Sequence, residues 1–72
     1  MVSARKMFED IGYRIPVVQD EERIFYYTGN IFNREEIAFL LKDKEVRIDA
    51  KHVRPELLRA IYKQCEELGW YE

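Results

Sequence analysis

The chain has 72 residues, of which 47% are hydrophobic and 14% aromatic, and these fractions argue against a disordered chain. Its 12 basic and 14 acidic side chains give a net charge of −2, which gives no support to general nucleic-acid binding. The single cysteine excludes an intrachain disulfide and a cysteine-based zinc site. We expect one domain, residues 1–72, in a reducing cytoplasm, since no stretch resembles a signal peptide or a membrane span.

The first segment predicts a short amphipathic helix over residues 4–11. Ser3 precedes it and is a favourable N-cap, because its hydroxyl can accept a hydrogen bond from an unpaired amide of the first turn. Gly12 follows the helix and can adopt the positive φ that ends it. We therefore expect Tyr13 to fold back onto Phe8.

The next residues predict an extended segment and then a strand. Residues 13–18 are extended in character, but Pro16 cannot donate to a ladder, so we expect an edge strand or partial pairing. The acidic residues 20–22 indicate a turn. The β-branched and aromatic residues of Arg23–Thr28 predict a strand that ends at Gly29 and Asn30.

Residues 33–49 have two interpretations. Asn33, followed three residues later by Glu36, fits the start of a helix that would continue to Leu41. Alternatively, residues 42–44 form a turn between two strands. The hairpin, which we favour, places these apolar side chains on one face of a sheet: Ile37, Phe39, Leu41, Val46 and Ile48.

The last segment predicts a second amphipathic helix. Pro55 fits its first turn, and Gly69 with Trp70 repeats the ending seen after the first helix, so that Trp70 should return to Cys65. Its apolar residues form one stripe: Leu57, Leu58, Ile61, Tyr62, Cys65 and Leu68.

These elements predict a small α+β fold in which an N-terminal helix, an antiparallel sheet of three to four strands and a C-terminal helix follow one another. Both helices should cover the same face of the sheet, because each has one apolar stripe to bury. The predicted core consists of Met7, Phe8, Ile11, Phe39, Leu41, Val46, Ile48, Leu57, Leu58, Ile61, Cys65 and Leu68.

Three segments carry a family resemblance: residues 4–13, with the ending Ile11-Gly12-Tyr13, the strand residues 24–27, and residues 56–70, with the ending Glu67-Leu68-Gly69-Trp70. They resemble small, mostly uncharacterised proteins of phages and prophages of Gram-positive bacteria. The resemblance covers about two thirds of the chain. It implies central strands around a lysine-containing turn and a phage context, but no activity.

No residue pattern indicates catalysis. His52 is the only histidine and lacks nearby partners for a metal, so we interpret it as an ordinary surface or loop residue. Cys65 lies in the apolar stripe of the second helix, where a free cysteine behaves as a small hydrophobic residue. We therefore expect no enzyme activity, no metal and no cofactor.

Two features indicate an interaction surface. The first is acidic side chains in the last turns of both helices, where the helix dipole favours cations: Glu9, Asp10, Glu66 and Glu67. The second is an aromatic strand whose alternate side chains face opposite ways, so that two helices can cover only half of them. Its candidate residues, with a nearby strand arginine, are Arg23, Phe25, Tyr26, Tyr27 and Arg47.

These features and the resemblance lead to a preferred hypothesis and two alternatives. We expect a non-enzymatic, phage-derived protein-interaction module that binds a host or phage protein, one specific form being an inhibitor of a host nuclease or defence complex. The first alternative is weak binding of single-stranded nucleic acid on the aromatic sheet face. The second is a structural protein that self-associates through the open sheet face or the edge strand around Pro16.

Overall fold

Two helices and three strands make up the fold, a computed structural model that describes residues 2–16, 21–30 and 32–71. In chain order the elements are α1 (Ala4–Asp10), β1 (Arg23–Thr28), β2 (Glu35–Leu40), β3 (Glu45–Asp49) and α2 (Pro55–Glu67). The strands form one antiparallel sheet in the order β1-β2-β3. The predicted α+β fold is confirmed. Neither helix of the described part is long and apolar enough to cross a membrane.

Both helices end in the predicted glycine motif. The amide of Tyr13 donates to the carbonyl of Phe8 at 2.9 Å, and the amide of Trp70 donates to the carbonyl of Cys65 at 3.0 Å. The glycines before the two aromatic residues have φ of 93° and 75°, in the left-handed region that favours glycine. The first helix is one residue shorter than predicted, because Ile11 is its C-cap.

The helix beginnings also follow their sequence signals. The Ser3 hydroxyl accepts a hydrogen bond from the amide of Lys6 at 3.2 Å, which satisfies one of the free amides of the first turn of α1. Pro55 begins α2 directly after the N-cap Arg54, where its missing N–H removes no helical hydrogen bond.

The segment with two interpretations is a hairpin, so the helical alternative from Asn33 to Leu41 is wrong. Ile37 pairs with Ile48 and Phe39 with Val46, as the shared sheet face required. The helix loses because residues 35–40 form ladders with a strand on each side, which satisfies their backbone groups along the whole segment.

The loop before β2 explains why the possible N-cap at Asn33 does not begin a helix. The side chain of Asn30 accepts hydrogen bonds from the amides of Phe32 and Asn33, at 2.8 and 3.1 Å. Asn30, rather than Asn33, therefore supplies the side-chain turn, and the chain enters β2 in an extended form. At the far end of β2, Leu41 lies in the turn to β3 and its amide donates to the carbonyl of Glu22 at 3.1 Å.

The extended segment after α1 is only partly paired. Arg14 and Tyr27 exchange two backbone hydrogen bonds, at 2.7 and 2.9 Å, as an isolated antiparallel bridge on the outer edge of β1. The chain continues through Ile15 and Pro16 outside any strand. Residues 17 and 18 of the predicted segment, and residue 20 of the predicted turn, lie outside the described residues.

The core is an aromatic cluster between the helices and one face of the sheet. The ring of Phe8 stacks on Tyr26 with 3.9 Å between centroids and meets Phe39 edge-on at 6.1 Å. Four more predicted members are partly buried against the cluster: Met7, Ile11, Val46 and Leu68. The buried residues of the cluster are Phe8, Tyr13, Tyr26, Ile37, Phe39, Leu57, Ala60, Ile61 and Cys65.

Two predicted core residues are exposed instead. Leu58 is 53% exposed because it lies beside the buried stripe of α2 and not in it. The buried stripe consists of Leu57, Ala60, Ile61, Gln64 and Cys65. Both stripes have helical spacing, so periodicity alone did not separate them.

The second exposed member lies on the edge of the sheet. Ile48 is 44% exposed because β3 is the outermost strand, at the margin of the layer that the helices cover. Leu41, also predicted in the core, is only partly buried because it stands in the turn.

Candidate functional site

The residues of β1 alternate between two environments. Ile24 and Tyr26 point to the helices, where Tyr26 stacks on Phe8. Phe25 and Tyr27 point the other way, because successive side chains of a strand face opposite sides of the sheet. One tyrosine of the pair is therefore buried and the next lies on the outer side.

We call this outer side the open face. The strand register groups its side chains in three cross-strand rows, and no helix in residues 2–16, 21–30 and 32–71 packs on them. The two aromatic rings on β1 lie beside residues of the central strand β2, and the charged residues of β3 lie on the far side of β2. The open face consists of Arg23, Phe25, Tyr27, Glu36, Ala38, Leu40, Glu45, Arg47 and Asp49.

Arginine side chains hold the two aromatic rings of the open face. The Arg23 guanidinium carbon lies 4.9 Å from the centroid of the Phe25 ring. Tyr27 has two such neighbours, Arg14 at 5.0 Å and Arg34 at 4.8 Å. These distances fit cation–π contacts, which the ring quadrupole makes attractive.

The arginines around Tyr27 are positioned by further contacts. Nη2 of Arg14 donates to the carbonyl oxygen of Gly29 at 2.8 Å. Nη2 of Arg34 pairs with the carboxylate of Glu36 at 2.9 Å. Neither Arg14 nor Arg34 was predicted from the sequence as a site residue. The alternation of side chains along a strand could not indicate these two arginines, because neither lies in a strand. Arg14 forms the isolated bridge beside β1, and Arg34 lies in the loop before β2.

The charges of the open face are of mixed sign. On β3, Glu45 and Asp49 flank Arg47, and all three are exposed. Asp49 also lies directly opposite Glu36 on β2, where two like charges face each other across the strands. The face thus offers both cationic and anionic groups around an aromatic centre.

Tyr26 was a candidate for the interaction surface, but the structure separates it from Phe25 and Tyr27. It is only 2% exposed, and its hydroxyl donates to Oε1 of Gln64 at 2.5 Å. Burial, together with the negative charge of Glu67, raises the pKa of Tyr26 to about 12. Its role is therefore in the core.

The acidic helix ends contact partners within the chain. Oε2 of Glu67 accepts from the amide of Ala4 at 2.8 Å, so the end of α2 caps the beginning of α1. There its negative charge lies near the positive end of the α1 dipole. Side-chain pairs engage two further acids: Asp10 with Lys6 at 2.8 Å and Glu66 with Lys63 at 3.1 Å.

The structure does not gather the acidic residues into one patch. Glu67 lies at the start of α1, whereas Glu9 and Asp10 lie at its end. The contact of Glu67 with the amide of Ala4 offsets its unfavourable position in the dipole of α2. The ion pair with Lys6 does the same for Asp10 in α1, and their hydrogen bond raises the pKa of Lys6. All of them belong to the helix layer, on the side of the sheet away from the open face.

The lone histidine and cysteine lie apart from the open face. Cys65 is 4% exposed within the core, as expected for a small hydrophobic residue. His52 is exposed and lines a cleft of about 580 Å³ together with Tyr13, Glu35 and Arg54. Burial, and secondarily the charge of Glu35, raises the pKa of Tyr13 there. No group of three metal-ligating side chains occurs among the described residues.

Comparisons of the chain with protein-family models, with curated proteins and with solved structures give no match. The resemblance to small phage and prophage proteins therefore stays a prediction. The surfaces and contacts described above are the basis on which a function can be inferred.

Proposed function

We propose that the chain is a non-enzymatic protein-interaction module and that the open face is its binding surface. The observation that carries this proposal is the arginine-braced pair of rings, Phe25 and Tyr27, on a sheet face that no described helix covers. Aromatic residues and arginine are the residue types enriched at the centres of protein interfaces.

The contacts of these rings favour binding by a preformed surface. Phe25 and Tyr27 are each half-buried against their neighbours, and the arginine contacts restrict their positions before any partner binds. A side chain that is already ordered loses less conformational entropy on association. Mixed charge around the rings, from Arg47 and Asp49 for example, suits a partner that carries both signs rather than a polyanion.

The biological setting of the proposal comes from the family resemblance. On that basis the partner is a host or phage protein, met in the cytoplasm of a bacterial host. Inhibition of a host nuclease or defence complex is the more specific form of this proposal. Carboxylates can imitate the phosphate charge that a nuclease binds, which is how the acidic helix ends would serve such an inhibitor. They contribute less to the proposal than the open face, because Asp10, Glu66 and Glu67 already contact groups of the same chain.

Weak binding of single-stranded nucleic acid is the second candidate, because a specific observation favours it. Three guanidinium groups lie within 5.0 Å of the two rings, from Arg14, Arg23 and Arg34. Bases can stack on such rings, and the arginines can pair with phosphates. The neighbouring carboxylates of Glu36 and Asp49 oppose a polyanion, which makes this the weaker candidate.

The first experiment compares affinity capture from host lysate by wild type and by an open-face variant, with bound proteins identified by mass spectrometry. The open-face variant is Phe25→Ala with Tyr27→Ala. The control is Arg59→Glu, an exposed change on α2 in the other layer of the fold. We expect a protein that binds wild type and the control but is lost from the open-face variant.

The second experiment separates the two candidates. Fluorescence anisotropy of labelled single-stranded RNA or DNA is measured against protein concentration at low salt and again at higher salt. Binding at micromolar protein that falls steeply with salt would favour the nucleic-acid candidate. Equal capture of every partner by wild type and the open-face variant would contradict the protein-binding proposal.

A further inference from the structure

The two outer edges of the sheet differ in what covers them. The edge of β1 is occupied near Tyr27 by the backbone of Arg14. In the part of the chain that the structure describes, no strand pairs with the outer edge of β3. An uncovered edge presents unpaired N–H and C=O groups, and these are a template for another strand.

β3 is also exposed along nearly its whole length. Of the residues Glu45–Asp49, only Val46 is partly buried, and Ile48 leaves 44% of its surface exposed on the side that faces the helix layer. A second strand beside β3 would therefore cover both backbone groups and apolar surface. Burial of apolar surface favours such an association.

We propose that β3 pairs antiparallel with β3 of a second copy of the chain, around a two-fold axis at Ile48. Each Ile48 then lies opposite the partner's Ile48, and the two three-stranded sheets become one continuous sheet. Each copy contributes the same strand, β3, to the interface, as two-fold symmetry requires. The proposal is independent of what the open face binds, although it would bring two open faces side by side.

Charge complementarity selects this register. With the axis at Ile48, Arg47 lies opposite the partner's Asp49, and Asp49 lies opposite the partner's Arg47. Glu45 then lies opposite the partner's Lys51, which follows two residues after the strand. Opposite charges directly across two strands attract, so each of these pairs is favourable.

Neighbouring registers place like charges together. An axis at Arg47 puts that arginine against its own copy and Glu45 against the partner's Asp49. An axis at Asp49 opposes two aspartates and sets Arg47 against the partner's Lys51. An axis at Val46 pairs Glu45 favourably with the partner's Arg47, but it brings Asp43 opposite the partner's Asp49.

Cysteine cross-linking tests the position of the axis. In Ile48→Cys the two thiols lie directly across the pair, where Cα atoms are about 4.5 to 5.5 Å apart and a disulfide is allowed. The matched control is Val46→Cys, whose two copies lie about 14 Å apart in this register, because they are four residues apart along neighbouring strands. The native Cys65 is buried and does not compete.

Under mild oxidation we expect a covalent dimer of Ile48→Cys and a monomer of Val46→Cys. The exposed position of Ile48 makes the variant compatible with folding, which circular dichroism checks. A covalent dimer of Val46→Cys with none of Ile48→Cys would overturn the register. Sedimentation of the wild type as a monomer up to millimolar concentration would overturn the pairing itself.

A charge exchange tests the register without cysteine. We expect Asp49→Arg to raise the dimer dissociation constant by about 10-fold or more, because it sets two arginines opposite each other at both ends of the pair. Within one chain the same change removes the like-charge neighbour of Glu36, so it does not weaken the fold.

The reciprocal double variant is the decisive control. Arg47→Asp combined with Asp49→Arg restores opposite charges in the proposed register and should restore the dissociation constant to near the wild-type value. An axis at Arg47 predicts instead that Asp49→Arg alone tightens the dimer, since it would then lie opposite Glu45. Tightening by this single variant, or no rescue by the double variant, would contradict the proposal.

Discussion

Tyr26 and Tyr27 are adjacent in sequence, yet they belong to two different regions of the molecule. Tyr26 lies in the helix-covered face, 2% exposed, stacked on Phe8 and hydrogen-bonded to Gln64. Tyr27 lies on the open face between arginine side chains. The same residue type thus packs the core in one position and lines the proposed binding surface in the next.

The two faces of this small sheet therefore have different roles. One face supplies stability, because its aromatic rings are removed from water by both helices. The other face is under less packing constraint, so its residues can be selected for contacts with a partner. Because of this division, substitutions on the two faces should affect the free energy of unfolding very differently.

The largest expected effect is on the helix-covered face. Phe8→Ala removes a fully buried ring that contacts Tyr26 and Phe39, and we expect a loss of about 3 to 5 kcal/mol in the free energy of unfolding. Because a chain of this size is marginally stable, the variant should be largely unfolded. Phe25→Ala on the open face should cost much less and leave the fold intact.

Urea denaturation followed by circular dichroism measures both variants. The matched pair removes the same side chain from the two faces, so the difference in the free energy of unfolding reports the environment. Equal losses for Phe8→Ala and Phe25→Ala would show that the open face is part of the stabilising core, and the division of the two faces would fail.

A second effect concerns alkaline pH. The pKa of Tyr26 is raised to about 12 in the folded state, above its ordinary value of 10.0, so folding favours the protonated hydroxyl. Its contribution, on the order of 2 kcal/mol, is fully present below pH 10 and is lost as the pH rises from about 10 to 12.

Other groups ionise in the same range, so the measurement needs a reference. The free energy of unfolding is followed against pH for wild type and for Tyr26→Phe, and the difference between the two curves isolates Tyr26. We expect the wild type to lose more stability than the variant on going from pH 9 to pH 11. Parallel curves would mean that Tyr26 ionises as readily in the folded chain as in the unfolded one.

A third comparison removes one hydroxyl from each tyrosine. Tyr26→Phe leaves the buried side chain of Gln64 without its hydrogen-bond donor, and we expect a loss of about 1 to 2 kcal/mol at neutral pH. Tyr27→Phe keeps the ring that the arginines contact and should change the free energy of unfolding by less than about 0.5 kcal/mol. A larger loss in the free energy of unfolding for Tyr27→Phe than for Tyr26→Phe would contradict the assignment of Tyr26 to the core and Tyr27 to the open face.

Local signals in the sequence were enough to predict the helices and strands. The glycine endings at Gly12 and Gly69, the proline at position 55 and the aromatic strand Arg23–Thr28 each have a local physical cause, so they were correctly predicted. The hairpin was favoured over the helix because its apolar residues share one sheet face, and the register confirms that reasoning.

The orientation of the elements could not be predicted in the same way. The rotation of α2 depends on the contact between Gln64 and Tyr26, which are far apart in sequence, so Leu58 was wrongly placed in the core. The face on which Tyr26 lies depends on the same packing. The acids were expected to be in unfavourable positions, but the contact of Glu67 with Ala4 is a tertiary one that no local pattern shows.

The smallest expected effect sharpens the account of the open face itself. A double-mutant cycle of Arg34→Ala and Tyr27→Ala should give a coupling of about 0.5 to 1 kcal/mol, the size of a solvent-exposed cation–π contact. A cycle of Arg34→Ala with Phe25→Ala, for which no ring contact with Arg34 occurs, should give a coupling near zero. Coupling of similar size in both cycles would mean that Arg34 acts through the charge of the whole face. Coupling confined to Tyr27 means that Arg34 positions this ring through a specific contact. Because that contact contributes little to the free energy of unfolding, we expect the main contribution of the Tyr27 ring to be to partner binding.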